Sequence, residues 1–226
     1  MSGEKHVITY PGFAESKEAR GLYLDIQTAF PGYTYHTLPF YEERLGSDGL
    51  LTGDRVVYSI DYHKNAIQGC MDGLDGEIIM LAKCGGTRPT IAMDNEHIAR
   101  LSKLCLINPP YRVSNEFLKY QLRNWHATEH TDGSWTLPRG EAGQYVVTEE
   151  YVNDVDMSDM MGRLREIARS ATKLFIVRAM NDEMFPPIRV EKIPGVQSID
   201  IENGNHHLLG ESRQGVLGAL ALHGVL

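Results

Sequence analysis

Short apolar runs alternate along the chain with amphipathic stretches. Val7-Ile8-Thr9-Tyr10, Tyr33 to Phe40, Glu77 to Ala82, Lys103 to Asn108, Lys173 to Ala179 and Val196 to Ile201 read as strands. Between the first two, Ala19, Leu22, Tyr23 and Ile26 share one face of a helix predicted from Ser16, its cap, to about Phe30, where Pro31-Gly32 ends it. A Gly/Asp-rich loop from Leu45 to Gly53 precedes a helix predicted over roughly Asp54 to Asp72, and Asp72-Gly73-Leu74-Asp75-Gly76 is turn chemistry. Another helix is expected from Gly85 to about Arg100, with Pro89 tolerated because it lies near the start. The alternation is that of an α/β chain: a mostly parallel, doubly wound sheet with helices on both faces.

Pro109-Pro110 breaks the pattern. From Tyr111 to Ala171 the chain runs longer than one connecting helix requires, so 111–171 is expected to be a cap or lid inserted into a core made of 1–110 and 172–226. This stretch carries Tyr111, Phe117, Tyr120, Trp125, Trp135, Tyr145 and Tyr151, rings that either line a pocket or form a small core of their own. Asp159 to Arg169 is its clearest helix, while Gly133, Pro138, Gly140 and Gly143 mark loops. The final helix, about Glu211 to His223, is apolar enough to pack on the sheet or across the boundary of a homodimer.

Candidate chemistry gathers at three strand ends. Cys84 follows the most apolar run and is itself followed by Gly85-Gly86-Thr87. A nucleophile at such a strand-to-helix elbow needs small residues two before and two after it, and Ala82 and Gly86 fill those places. Gly85 leaves its N–H free to meet an oxyanion, and a helix starting there directs its positive end at the thiol. Asp182 lies just past the end of the fifth strand-like run, where an open α/β sheet has its functional edge, and His206-His207 follow the sixth.

The order nucleophile, acid, histidine is that of α/β-hydrolases, and the chain resembles that family over nearly its whole length. Cys84 stands where the family's Gly-x-Ser-x-Gly elbow has serine, with Ala82 in place of the first glycine. Asp182 opens an Asp-x-x-Phe-Pro-Pro run similar to the family's Asp-x-x-Val-Pro loop, and His206 occupies its Gly-x-His pattern, with His207 one residue away as the alternative. Val7 to Phe13 is similar to the strand and His-Gly turn of the oxyanion arm, with Pro11 where the family often has histidine. The resemblance implies an α/β-hydrolase fold, a triad of Cys84, His206 and Asp182, and an oxyanion hole of the Phe13 and Gly85 N–H groups. A cysteine nucleophile is similar to that of dienelactone hydrolases, some thioesterase-like enzymes and polyhydroxyalkanoate synthases. A thiolate paired with imidazolium suits activated acyl groups, so the expected reaction is hydrolysis of an ester, lactone or thioester. Two alternatives use the same residues: an acyltransferase or cyclising thioesterase, and a non-catalytic homologue that binds a small acyl molecule.

Composition narrows the partners. With 226 residues and 42% hydrophobic content the chain buries a core, and its net charge of −8 argues against nucleic acid or an anionic membrane. A small-molecule acyl substrate is expected instead, with Trp125, Trp135 and Lys83 as its candidate contacts. Lys83 and Arg88 flank the thiol and can favour the thiolate or meet an acidic group. Three cysteines, Cys70, Cys84 and Cys105, without a Cys-x-x-Cys pair, indicate neither disulfides nor zinc, which points to the cytoplasm. His63, His126 and His130 have no ligand-spaced neighbours, so no metal and no cofactor is expected. Met1 to His6 leads into the first strand without a signal-like apolar run, and no run of about 20 apolar residues would span a bilayer.

Overall fold

The structure, a computed structural model, describes residues 3–13, 21–111, 113–139, 143–156 and 159–226. Ser16, the expected cap of the first helix, lies outside them.

Six strands form the main sheet: β1 (Lys5–Tyr10), β2 (Thr34–Thr37), β5 (Glu77–Lys83), β6 (Leu101–Ile107), β10 (Lys173–Ala179) and β11 (Val196–Ile201). Every pairing is parallel, in the order β11-β10-β6-β5-β1-β2. Strand β5 reads as one apolar run because both of its faces are covered. Ile79 and Leu81 join Val7, Cys105, Phe175 and Val177 under two helices, α1 (Leu22–Ala29) and α8 (Glu211–Leu222). Ile78, Met80 and Ala82 face the opposite way, with Ile8, Leu104 and Ile176. Helix α2 (Ile60–Asp72) covers that side through Ile67 and Met71.

Two of the predicted helices are corrected. The stretch expected as helix from Asp54 begins instead as strand β4 (Leu51–Val57), and α2 starts only at Ile60, where Ser59 Oγ accepts the Tyr62 N–H at 3.1 Å. Arg55-Val56-Val57 pairs with β3 (Glu42–Leu45) on one side and in parallel with β9 (Gln144–Val147) on the other. β-branched residues favour that extended state once partners exist. The helix expected from Gly85 to Arg100 is broken into a 3-10 turn at Cys84–Gly86, α3 (Thr87–Ile91) and α4 (Asn95–Arg100). At the break, Asp94 is extended, its N–H bonds to Gln68 Oε1 at 3.0 Å, and Arg163 donates to the carbonyls of Ile91 (2.8 Å) and Met93 (2.5 Å). These side chains satisfy the backbone groups that a helix end leaves open.

A second sheet has the order β3-β4-β9-β8-β7, with β7 (Thr128–Glu129) and β8 (Trp135–Pro138). It draws three strands from the 111–171 stretch and two from the β3-β4 hairpin before α2. The same stretch holds α5 (Asn115–Asn124), α6 (Glu149–Asp154) and α7 (Met160–Ile167), the last capped by Asp159 Oδ1 on the Gly162 N–H at 2.8 Å. Val147, Trp135 and Tyr151 from this layer share one continuous core with Met80 and Ala82 of β5. Among the described residues no helix is long and apolar enough to cross a membrane.

Candidate active site

Strand β5 delivers Cys84 to the carboxyl edge of the main sheet in a left-handed conformation, φ 46°. A side-chain-bearing residue adopts that conformation only when its surroundings impose it. Here the elbow is pinned on both sides. Thr87 Oγ1 donates to the Cys84 carbonyl at 2.7 Å, and Thr90 Oγ1 to that of Gly86 at 2.8 Å. A Cβ on Gly86 would overlap the Pro11 carbonyl oxygen, so only glycine lets the elbow pass so close to the end of β1. At Gly85 a Cβ would stand 3.1 Å from the Phe13 backbone N. Phe13 and Gly85, expected from the sequence as the two oxyanion donors, therefore meet at one corner beside the thiol.

Asp182 follows β10 and His206 follows β11, and parallel pairing brings both ends to the same edge as Cys84. His206 Nε2 lies 3.3 Å from Cys84 Sγ, and His206 Nδ1 lies 2.8 Å from Asp182 Oδ2. The other Asp182 oxygen accepts the Met184 and Phe185 N–H groups, each at 2.8 Å. The His207 ring stands at 84° to that of His206, with centroids 5.4 Å apart. The imidazole in line with the sulfur is thus His206.

Charge at this edge is set by competition. Burial pushes the Asp182 carboxyl up, but the hydrogen bonds from His206 and from the Phe185 and Met184 N–H groups outweigh it, and the net direction is down. Burial pulls His206 down, while its hydrogen bonds to Asp182 and Cys84 and their negative charge push it up to about 10. The ring is therefore held as a cation between a carboxylate and a sulfur.

The sulfur opens into a cavity of about 680 Å³. Trp125 forms one wall and stacks on Phe13 with ring centroids 6.0 Å apart. Phe117 and Tyr151 also reach it. The structure does not bring Trp135 or Lys83 there. Trp135 is 1% exposed, packed in the core under the Arg123 guanidinium, and Lys83 is buried at the end of β5. Trp135 and Leu137 share the inward face of β8, and of the two only Leu137 reaches the cavity. Of the remaining rings, Tyr145 packs on Tyr41 and Tyr120 is exposed.

Two positioning residues carry no sequence signal of their own. Asn108, at φ 47°, closes the end of β6: its Oδ1 accepts the Ala179 N–H at 2.7 Å and its Nδ2 donates to the His206 carbonyl at 3.4 Å. Glu183 Oε2 accepts the His206 N–H at 3.1 Å. A polar residue at a strand end before Pro109-Pro110 is the only hint of the first. Among the described residues no cluster of three or more His, Cys, Asp or Glu could hold a metal ion, and His63 is engaged through Nδ1 by the Tyr10 hydroxyl at 2.7 Å.

The parallel sheet, the elbow and the strand-end loops define an α/β-hydrolase fold, and solved structures share it. A pyrethroid hydrolase from Sphingobium faniae JZ-2 superimposes with a TM-score of 0.62 at 14% identity, covering 96% of each chain. Est1E from Butyrivibrio proteoclasticus gives 0.64 at 12% identity, over 100% of this chain and 88% of its own. A monoacylglycerol lipase from Paleococcus ferrophilus gives 0.63 at 13% identity, over 98% and 96%. No family model and no curated protein matches the sequence.

Proposed function

We propose that this chain hydrolyses an activated ester, thioester or lactone through an acyl-cysteine intermediate. The observation that carries the reading is the unbroken line from Asp182 through His206 to Cys84 Sγ, with contacts of 2.8 and 3.3 Å, at a strained elbow that opens into the cavity. The fold shared with a lipase and with hydrolases of esters lends it support, since such folds host many chemistries but the site argues for acyl transfer.

The steps follow from the geometry. His206 holds the thiol proton, and the sulfur attacks the acyl carbon as that carbon's π electrons move onto oxygen. The Phe13 and Gly85 N–H groups receive the oxyanion, a contribution of about 3 kcal/mol per donor. The tetrahedral adduct collapses, the bond to the leaving oxygen or sulfur breaks, and His206 gives that atom its proton. Water then attacks the thioester, loses a proton to His206, and releases the acid and the thiol. Asp182 keeps Nδ1 protonated throughout and so keeps Nε2 aimed at the reaction. Residues 111–171 act as the cap over this site, contributing Phe117, Trp125 and Tyr151 to the wall around the substrate.

Hydrolysis of a small panel of p-nitrophenyl esters, aryl thioesters and lactones, compared with Cys84→Ala, tests the proposal. Turnover to free acid that Cys84→Ala loses by 10³-fold or more is expected. Turnover that survives in Cys84→Ala would remove the thiol from the mechanism.

A further inference from the structure

The cavity holds a hydrogen-bond donor that the reaction steps leave unused. Tyr151 of α6 lines the same cavity as Cys84 and is 2% exposed. Its backbone N–H bonds to Thr148 Oγ1 at 3.2 Å, but its hydroxyl makes no hydrogen bond to any described residue. The ring has no freedom to turn elsewhere. It packs against Phe13, Phe40 and His63 with centroids at 5.7, 5.9 and 6.1 Å. Burial pushes the phenol up, ahead of the opposing pull of Arg88, so the group stays protonated and has an O–H to offer to an incoming acceptor.

The surroundings favour an electron-rich partner for it. Arg88 is 2% exposed and spends its terminal nitrogens on the carbonyls of Val155, Pro110 and Val113, while its Nε has no partner among the described residues. Among the described residues lining the cavity are Arg88, Arg139, His126, His206 and His207, and no Asp or Glu, in a chain whose net charge is −8. A plain alkyl group seated there would strip water from the Tyr151 hydroxyl and return nothing. The group in question is the acyl part, because it stays attached to the sulfur beside Phe13 after the leaving group has gone.

We propose that Tyr151 is a specificity-determining residue whose hydroxyl donates to a second oxygen in the acyl group, so that the substrate is an oxo- or carboxy-substituted acyl compound and not a simple alkanoate. This rests on the reading that the cavity holds the acyl group delivered to Cys84.

The test uses length-matched p-nitrophenyl pentanoate, 4-oxopentanoate and hemisuccinate. For the unaltered protein kcat/KM is expected to favour at least one oxygenated substrate about tenfold over pentanoate, the equivalent of one buried donor satisfied. Tyr151→Phe keeps the ring and should bring that ratio close to one. Which oxygenated substrate leads distinguishes a ketone from a carboxylate as the acceptor. A ratio near one in the unaltered protein, or a preference that Tyr151→Phe leaves in place, overturns the proposal. Binding of the free acids to Cys84→Ala, with and without Tyr151→Phe, by calorimetry separates the two readings. A Tyr151-dependent preference for 4-oxopentanoate or succinate without any turnover would sustain this inference while ending the hydrolytic one.

Discussion

At the scale of single residues, His206 is the group on which both the proposed chemistry and the pH dependence of stability turn. Its pKa rises from the ordinary 6.5 to about 10 in the folded chain, so folding favours its protonated form. That contribution is fully present below 6.5 and is lost as pH climbs through about 10. Thermal melts should therefore fall between pH 6.5 and 10, and Asp182→Asn, which removes the carboxylate that sustains the cation, should flatten that fall. The same substitution should lower kcat/KM by about 10²- to 10⁴-fold, read on any turned-over substrate, because the tautomer at Nε2 is no longer fixed. A Tm that falls as steeply in Asp182→Asn would show that His206 is not the titrating group. The meeting of Cys84, Asp182 and His206 at one edge was legible in the sequence because each follows a strand-like run, with small residues around the thiol. Asn108 and Glu183 were not, since their work is to hold the backbone of a loop whose path exists only after β6, β10 and β11 have paired.

Elements were legible where burial dictates the pattern and illegible where a distant partner does. Strand β5, covered on both faces, and helix α7, with its Asp159 cap, follow from local residue order. Strand β4 does not. Leu51 to Val57 becomes extended because it pairs with β3 on one side and, on the other, because Val56 and Val57 pair with Val146 and Val147, some 90 residues along the chain. Asn108 shows how an element end supports the site. It ties the end of β6 to the Ala179 N–H of β10 and reaches the His206 carbonyl. Asn108→Ala should cost about 1–3 kcal/mol, because it leaves the Ala179 N–H buried without a partner. For a chain of this size that is roughly 2–12 °C in Tm. Activity should fall further than stability at 25 °C explains, since Asp182 lies three residues beyond Ala179; an unchanged kcat/KM with a lowered Tm would make Asn108 purely structural.

For the molecule as a whole, the two sheets are one body around a shared core, and the two tryptophans separate its functions. Trp135 is sealed in the second sheet and Trp125 faces the cavity. Trp135→Ala should destabilise the protein by about 3–5 kcal/mol, the range for removing a buried ring. Trp125→Ala should act mainly on KM, with a small loss in Tm. Equal effects of the two on Tm and KM would mean that the core of the second sheet and the cavity wall are not distinct. The second sheet joins β3 and β4, which come from before α2, to β9, β8 and β7 of the 111–171 stretch, so this layer is anchored at two places in the chain.

The most direct measurement is intact mass of the protein mixed with a slowly hydrolysed aryl thioester and quenched in acid within seconds. An added acyl mass that peptide mapping assigns to Cys84, that decays as free acid forms and that Cys84→Ala never shows, is the result expected. Product formed at full rate with no acyl mass on Cys84, or with the mass on another residue, would contradict the central claim.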